Sequence, residues 1–243
     1  MNLIKISVFA ILSFLVTFQA TAQIQFGVKA GLNINNIGFI SENEDDELDT
    51  KMLFRYHVGA TANYDINEVL SLQPSLLFSV KGFRVNESAK DDFSESTLKG
   101  HGSFYYLEIP INLAYKINNF QIYAGPYAAF GIGGNGKSET TQKINFGGLV
   151  SEQTITDKIT YKPYYREITQ DDDFKDNENP YSGLDYGLNI GVGYKVNNLL
   201  FNVGYSYGLG NWLPKAEGNN DYRKDNKIQN RVITLSASYF FGE

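Results

Sequence analysis

The 243-residue chain contains no cysteine. That excludes disulfides, thiolate metal sites and a lipidated N-terminal cysteine. Histidine is scarce, with His57 and His101 alone, so little is available for imidazole chemistry. Past the first 22 residues no stretch approaches the ~20 apolar residues of a membrane-spanning helix. Positive charge is in deficit: 21 Lys and Arg stand against 27 Asp and Glu, a formal net charge of −6. Such a balance argues against a general nucleic-acid binder. Tryptophan occurs once, whereas Tyr and Phe occur 17 times each and Gly 23 times.

The first 22 residues read as a cleaved secretory signal. Lys5 supplies a positive start, residues 6–18 an apolar run, and Ala20-Thr21-Ala22 a small-x-small cleavage site. The expected organisation is therefore a signal peptide, 1–22, followed by one domain, 23–243.

That domain is patterned with a period of two. In residues 184–196 every odd-step position from Leu184 to Val196 is apolar or aromatic, and every position between is polar, charged or glycine. Successive side chains of a strand point to opposite faces, so this strand has a greasy face and a wet one. The same alternation recurs in 24–35, 54–64, 70–81, 105–116, 120–132, 199–209 and 231–241. Strands of ~11 residues suit a tilted crossing of the hydrocarbon layer, whereas ordinary strands are nearer ~5–6. Three connections are short and each bears Asn (65–68, 117–119, 197–198), and four are long and polar (about 36–53, 84–103, 133–181 and 210–230). Short and long alternate strictly, as they do when periplasmic turns and outer loops alternate. The pattern predicts an all-β fold: an eight-stranded antiparallel up-and-down transmembrane β-barrel with long extracellular loops. Aromatics fall in two girdles, one including Phe26, Tyr115 and Phe120, the other Phe54, Phe78 and Tyr105. Pro74, Pro110 and Pro126 sit mid-strand and predict a bulge or a break in the ladder. Residues 141–169 admit two readings, a fifth hairpin making ten strands or a hairpin projecting above the membrane in continuation of strands five and six. Lys143, Asp157, Lys158 and Lys162 favour the projection. The Gly-rich run 131–136 reads as the flexible exit of strand five, since no phosphate-loop context surrounds it.

Several strings resemble the outer-membrane β-barrels of Bacteroidetes-type bacteria called PorT-like: Phe26-Gly27-Val28-Lys29-Ala30-Gly31-Leu32-Asn33, Leu72-Gln73-Pro74-Ser75-Leu76-Leu77-Phe78, Tyr106-Leu107-Glu108-Ile109-Pro110, Ala124-Gly125-Pro126-Tyr127 and Tyr205-Ser206-Tyr207-Gly208-Leu209. The resemblance implies a small OmpX/OmpA-like barrel and brings no catalytic set with it.

The wet faces place Lys29, Arg55, His57, Lys81, Glu108 and Asp185 in the lumen, with Lys116 and Lys195. An eight-stranded barrel is just wide enough for side chains to fill. The expectation is a charge network, with Glu108 and Asp185 partnering Arg55, Lys29 and Lys81, and with Asp185 able to approach His57. No nucleophile motif accompanies His57, so no enzyme is expected. Two acidic runs, Glu42, Glu44, Asp45, Asp46, Glu47 and Asp49, and Asp171, Asp172 and Asp173, are candidates for a hard cation, though neither matches an EF-hand and the metal stays open. No cofactor is expected. The expected role is a monomeric barrel for membrane structure or surface interaction, in contact with outer-membrane lipid and lipopolysaccharide and with an envelope or surface protein partner. The alternatives are a narrow porin for small solutes and an accessory outer-membrane subunit of a secretion system.

Overall fold

The computed structural model describes residues 24–41, 50–91, 93–146, 149–169, 171–217, 223 and 226–241. The signal segment and the acidic run 42–49 lie outside the described residues. Eleven strands are present: β1 (Ile24–Ser41), β2 (Thr50–Lys51), β3 (Leu53–Asp65), β4 (Leu70–Lys90), β5 (Ser94–Ile117), β6 (Phe120–Phe146), β7 (Leu149–Tyr164), β8 (Glu178–Ser182), β9 (Leu184–Val196), β10 (Leu199–Gly208) and β11 (Asn226–Phe240). Eight of them close a ring in the order β1-β3-β4-β5-β6-β9-β10-β11, with β11 returning to β1. Every pairing in the ring is antiparallel. Closure leaves no sheet edge in the wall.

Period-two patterning explains why these segments form staves. Val28, Leu32, Val58, Ile109, Leu113, Ile122, Ile190 and Leu235 are exposed on the outside. Asn33, Thr61, Gln73, Asn112, Gln121, Asn189 and Ser236 are buried inside. The wall is thus inverted relative to a soluble protein, as a barrel in lipid requires. Two hairpins at the short-turn end hinge on asparagine. Asn118 and Asn197, each the first of two turn residues, take φ of 54° and 51°. Asn tolerates this region better than other side chains, which is why it stands where a two-residue turn must reverse the chain.

The prolines break the ladder without bulging it. Pairs are missing between Thr61↔Ser75 and Tyr64↔Leu72 around Pro74, and the register resumes unchanged. The same happens opposite Pro110, between Pro74↔Ile111 and Leu77↔Glu108, and around Pro126, between Pro110↔Tyr127 and Leu113↔Ala124. A missing N–H removes a bond but does not add a residue, so no shift follows. The shift falls elsewhere, between Tyr105 and Tyr106, where β6 carries Ile132 as an extra residue beside Gly133 at φ 148°. The run 131–136 is therefore paired strand with a bulge rather than a flexible exit.

The outer loops also hold more strand than the sequence alone suggests. Residues 84–103, expected as a loop, pair in the β4–β5 ladder up to Lys90↔Glu95. β6 and β7 form a hairpin beyond the ring, so eight staves and a projection are present rather than ten staves. β6 alone runs through it: β7 stands above β9 on the same edge of β6, and β8, parallel to β7, leads back into β9. These upper strands present polar side chains outward, so greasy-outward alternation cannot reveal them.

Candidate functional site

The lumen is the candidate site, and it is built in layers. At the short-turn end Lys116 pairs with Asp65 at 2.9 Å. Above them Gln73 and Gln121 exchange amide hydrogen bonds, the Gln73 amide reaching Gln121 Oε1 at 3.0 Å and the Gln121 amide reaching Gln73 Oε1 at 3.2 Å. The next layer encloses a space of about 30 Å³ lined by Lys29, His57, Glu108, Asn112, Tyr123 and Asn189, among others. That is room for a water or two.

The layer above is an ion triad. Lys81 on β4 reaches Glu108 on β5 and Asp185 on β9, each at 2.9 Å. Asp185 also accepts from the Asn230 amide at 3.0 Å and from the Tyr127 hydroxyl at 3.3 Å. The Lys81 ammonium lies 4.3 Å from the Tyr127 ring centroid. Lys81 is 2% exposed. A buried ammonium needs this degree of compensation, because desolvation of an unpaired charge outweighs most single contacts.

A lid of aromatic rings closes the outer mouth. Phe104, Tyr106, Tyr161 and Tyr181 are buried together, with Phe83 and Trp212 packed on them. The Trp212 ring stacks on Tyr181 at 6.1 Å and meets Phe104 edge-on at 5.0 Å. Glycines of β6 make the room. A side chain at Gly131 would meet the Tyr181 hydroxyl at 2.6 Å, and one at Gly134 would meet Tyr161 Cβ at 2.9 Å. The Tyr181 hydroxyl donates to the Gly133 carbonyl at 2.9 Å, across the bulge.

Of the eight lumen residues read from the sequence, Lys81, Glu108 and Asp185 meet directly. Lys29 lines the small cavity beside Glu108 but makes no direct ion pair among the described residues. Arg55 departs from expectation. The β3–β4 ladder ends at His57↔Ser79, and above it the guanidinium turns to the outer surface. There it donates to Ser103 Oγ at 3.0 and 2.7 Å and to the Phe54 carbonyl at 2.9 Å. At the rim it stays partly hydrated, which spares it burial without a carboxylate. His57 does not meet Asp185 either. Its Nδ1 lies 2.7 Å from Asn33 Oδ1. The Asn33 amide nitrogen donates to Ser79 Oγ and the Val80 carbonyl, which fixes its oxygen toward His57. His57 therefore donates from Nδ1, a tautomer assigned from the network.

The lid escaped the sequence reading. Its signal was aromatics on the wet face, Phe104 and Tyr106 on β5 and Tyr127 on β6, where polar residues predominate. Of the acidic run in loop three, Asp172 is paired with Arg166 and accepts from the Thr169 backbone N–H at 2.8 Å. These hydrogen bonds hold its carboxyl well below the ordinary range. Asp171 and Asp173 are exposed. Among the described residues no group of three His, Asp or Glu side chains is arranged to hold a metal.

The family model of the outer membrane protein beta-barrel domain matches residues 18–213. No curated protein matches the chain. Among solved structures the chain is similar to Ail, the attachment invasion locus protein of Yersinia pestis, at 12% identity over 89% of this chain and 98% of that one, TM-score 0.36. It is similar to Neisserial surface protein A at 14% identity over 89% and 97%, TM-score 0.37. It is also similar to the outer membrane protease OmpT of Escherichia coli at 10% identity over 93% and 99%, TM-score 0.26.

Proposed function

Because this chain belongs to the outer membrane protein beta-barrel domain family, we propose that it is a non-conducting, non-enzymatic barrel that stands in the outer membrane as a platform for surface contact. The observation that carries this reading is the layered filling of the lumen, with the Lys81–Glu108–Asp185 triad beneath the lid of Phe104, Tyr161, Tyr181 and Trp212. A solute would have to part a buried ion triad and then a packed set of rings. The roughly 30 Å³ space below the triad is far smaller than any nutrient. Above the mouth the β4–β5 and β6–β7 hairpins continue the wall as a sheet free to meet a partner. His57 Nδ1 is held by Asn33, and Ser79, its cross-strand neighbour, accepts a hydrogen bond from the Asn33 amide at 3.1 Å; a serine and a histidine each held by Asn33 support a role without catalysis.

Export by a signal at residues 1–22, a Bacteroidetes-type PorT-like affiliation and a monomeric state belong to the same reading, supported by the local strings and the self-closed ring. Under the PorT-like affiliation the partner of the upper sheet would be an envelope assembly of the secretion type.

Planar-bilayer recording on the refolded barrel tests the proposal. Heat-modifiable protein that inserts and stays electrically silent is the expected result. Discrete, reproducible conductance steps would overturn the closed lumen and favour a narrow porin.

A further inference from the structure

We infer that the outward face of the upper sheet is a docking surface for the phosphorylated headgroups of outer-leaflet glycolipid. The inference rests on the outer-membrane reading above, with the short turns on the periplasmic side.

Five basic residues stand in direct cross-strand register. Lys51 on β2 faces Arg84 on β4, Arg84 faces His101 on β5, His101 faces Lys137 on β6, and Lys137 faces Lys158 on β7. Directly opposed residues share a face, and all five are exposed. At ~4.8 Å between strands the row is about 19 Å wide. Lys99, two residues above His101, adds a further cation, and with Lys51, Arg84, His101 and Lys137 it lines a hollow of about 470 Å³. One carboxylate lines it, Glu139, 3.4 Å from Lys137.

Like charges directly opposite each other destabilise a sheet. Two such pairs, Lys51–Arg84 and Lys137–Lys158, flank His101 in a chain whose net charge is −6, so the row is not a by-product of overall basicity. The packing is felt within the row. Partial burial first, and then Arg55, Arg84 and Lys137, lower the pKa of His101. An anion placed along the row would remove that repulsion and use the guanidinium and ammonium donors in charge-assisted hydrogen bonds.

Height and direction choose the occupant. Tyr105 stacks on Phe78 at 6.1 Å, and Phe78 meets Tyr56 at 6.2 Å, forming part of the outer aromatic girdle. His101 lies four residues farther along the same face of β5, about 13 Å up a tilted strand. Ser103 and Asn135 face each other between, and the Arg55 guanidinium lies against Ser103 Oγ at that level, the lowest of these cations. The cations thus begin where hydrocarbon ends and headgroups begin. They also point sideways, in continuation of the lipid-facing wall, rather than up into the medium. A phosphorylated lipid beside the barrel would bring its acyl chains to the apolar wall and its phosphates to the row.

The test uses the full barrel and bis-phosphorylated lipid A as probe. Lipid retained by the wild type and by K51Q/R84Q/K137Q/K158Q would be quantified by native mass spectrometry from detergent and from phosphatidylcholine nanodiscs. Heat-modifiable mobility confirms the fold of each, and a failure of the membrane reading would appear separately as wild type that never becomes heat-modifiable in vesicles. The expected result is binding at least about tenfold weaker in the quadruple variant. Full retention in K51R/K137R/K158R and poor binding of dephosphorylated lipid A are expected alongside it. Equal binding by the quadruple variant, or indifference to the phosphates, overturns the inference. So does tight capture of a soluble sulfated oligosaccharide in preference to lipid A, which would make the row a glycan site.

Discussion

The lower and upper halves of the same staves have opposite polarity. In β5, Leu107, Ile109, Ile111 and Leu113 face outward while Glu108 and Asn112 are buried inside. Higher on the same strand the inward residue is Phe104, in the aromatic lid, and the outward ones are Ser103 and His101. β4 makes the same exchange, from inward Lys81 to inward Phe83 and outward Arg84. β6 passes through it at the bulge beside Gly133. Alternation persists throughout; what changes is which face is apolar. A strand in lipid puts its greasy side outward, and the same strand in water must turn its greasy side inward. The exchange level therefore marks the membrane surface, and the lid is the core of a small water-exposed sheet that caps the barrel.

If the lower lumen is held by electrostatics and the lid by packing, the two respond to different changes. The largest effect is expected from Lys81→Met, which strands Glu108 and Asp185 as buried, unpaired carboxylates. A loss of about 3–5 kcal/mol is expected in urea unfolding from lipid vesicles. The triple variant K81M/E108Q/D185N removes the charges together and should recover most of that loss. If the triple variant is as unstable as the single, the triad is not acting as a compensated unit.

Tyr181→Ala tests the lid. It removes a fully buried ring and its hydrogen bond to the Gly133 carbonyl, with an expected cost of about 3 kcal/mol. Hydrogen exchange should rise in β7 and β8 and stay unchanged in β1, β10 and β11. Equal loosening around the ring would contradict a lid packed separately from the staves.

The smallest effect belongs to Asp172. Its pairing with Arg166 and its bond from Thr169 depress its folded pKa below the unfolded value. The sign follows directly: the contribution is whole above the ordinary carboxylate range and erodes as pH falls through that range toward the folded pKa. The Thr169 amide should thus keep its protection from pH 7 to about pH 5, where an unperturbed carboxylate is still ionised. Asp172→Asn should remove much of that protection at neutral pH without altering the barrel.

The same contrast explains what the sequence revealed. Eight staves, their inward and outward faces and the Asn turns were legible because lipid outside and polar filling inside leave a period-two signature over ~11 residues. Lys81, Glu108 and Asp185 were legible as lumen charges for the same reason. Their pairing was legible only in part: Lys81 was expected as a partner of Glu108 and Asp185, but so were Arg55 and Lys29, which share that parity, and only the end of the β3–β4 ladder sends Arg55 outward. The lid was hidden because Tyr161, Tyr181 and Trp212 come from segments with no lipid-facing partner pattern. The basic row was hidden because its members are scattered from Lys51 to Lys158, and only register aligns them.

The absence of cysteine makes the central claim directly measurable. Single spin labels at Leu107→Cys, Tyr105→Cys, Ser103→Cys and His101→Cys would report, in vesicles, accessibility to oxygen against a water-soluble nickel chelate. The exchange of polarity predicts oxygen-dominated relaxation at 107, a crossover between 105 and 103, and chelate-dominated relaxation at 101. Oxygen-dominated relaxation persisting through 101 would place the basic row within hydrocarbon and contradict the account.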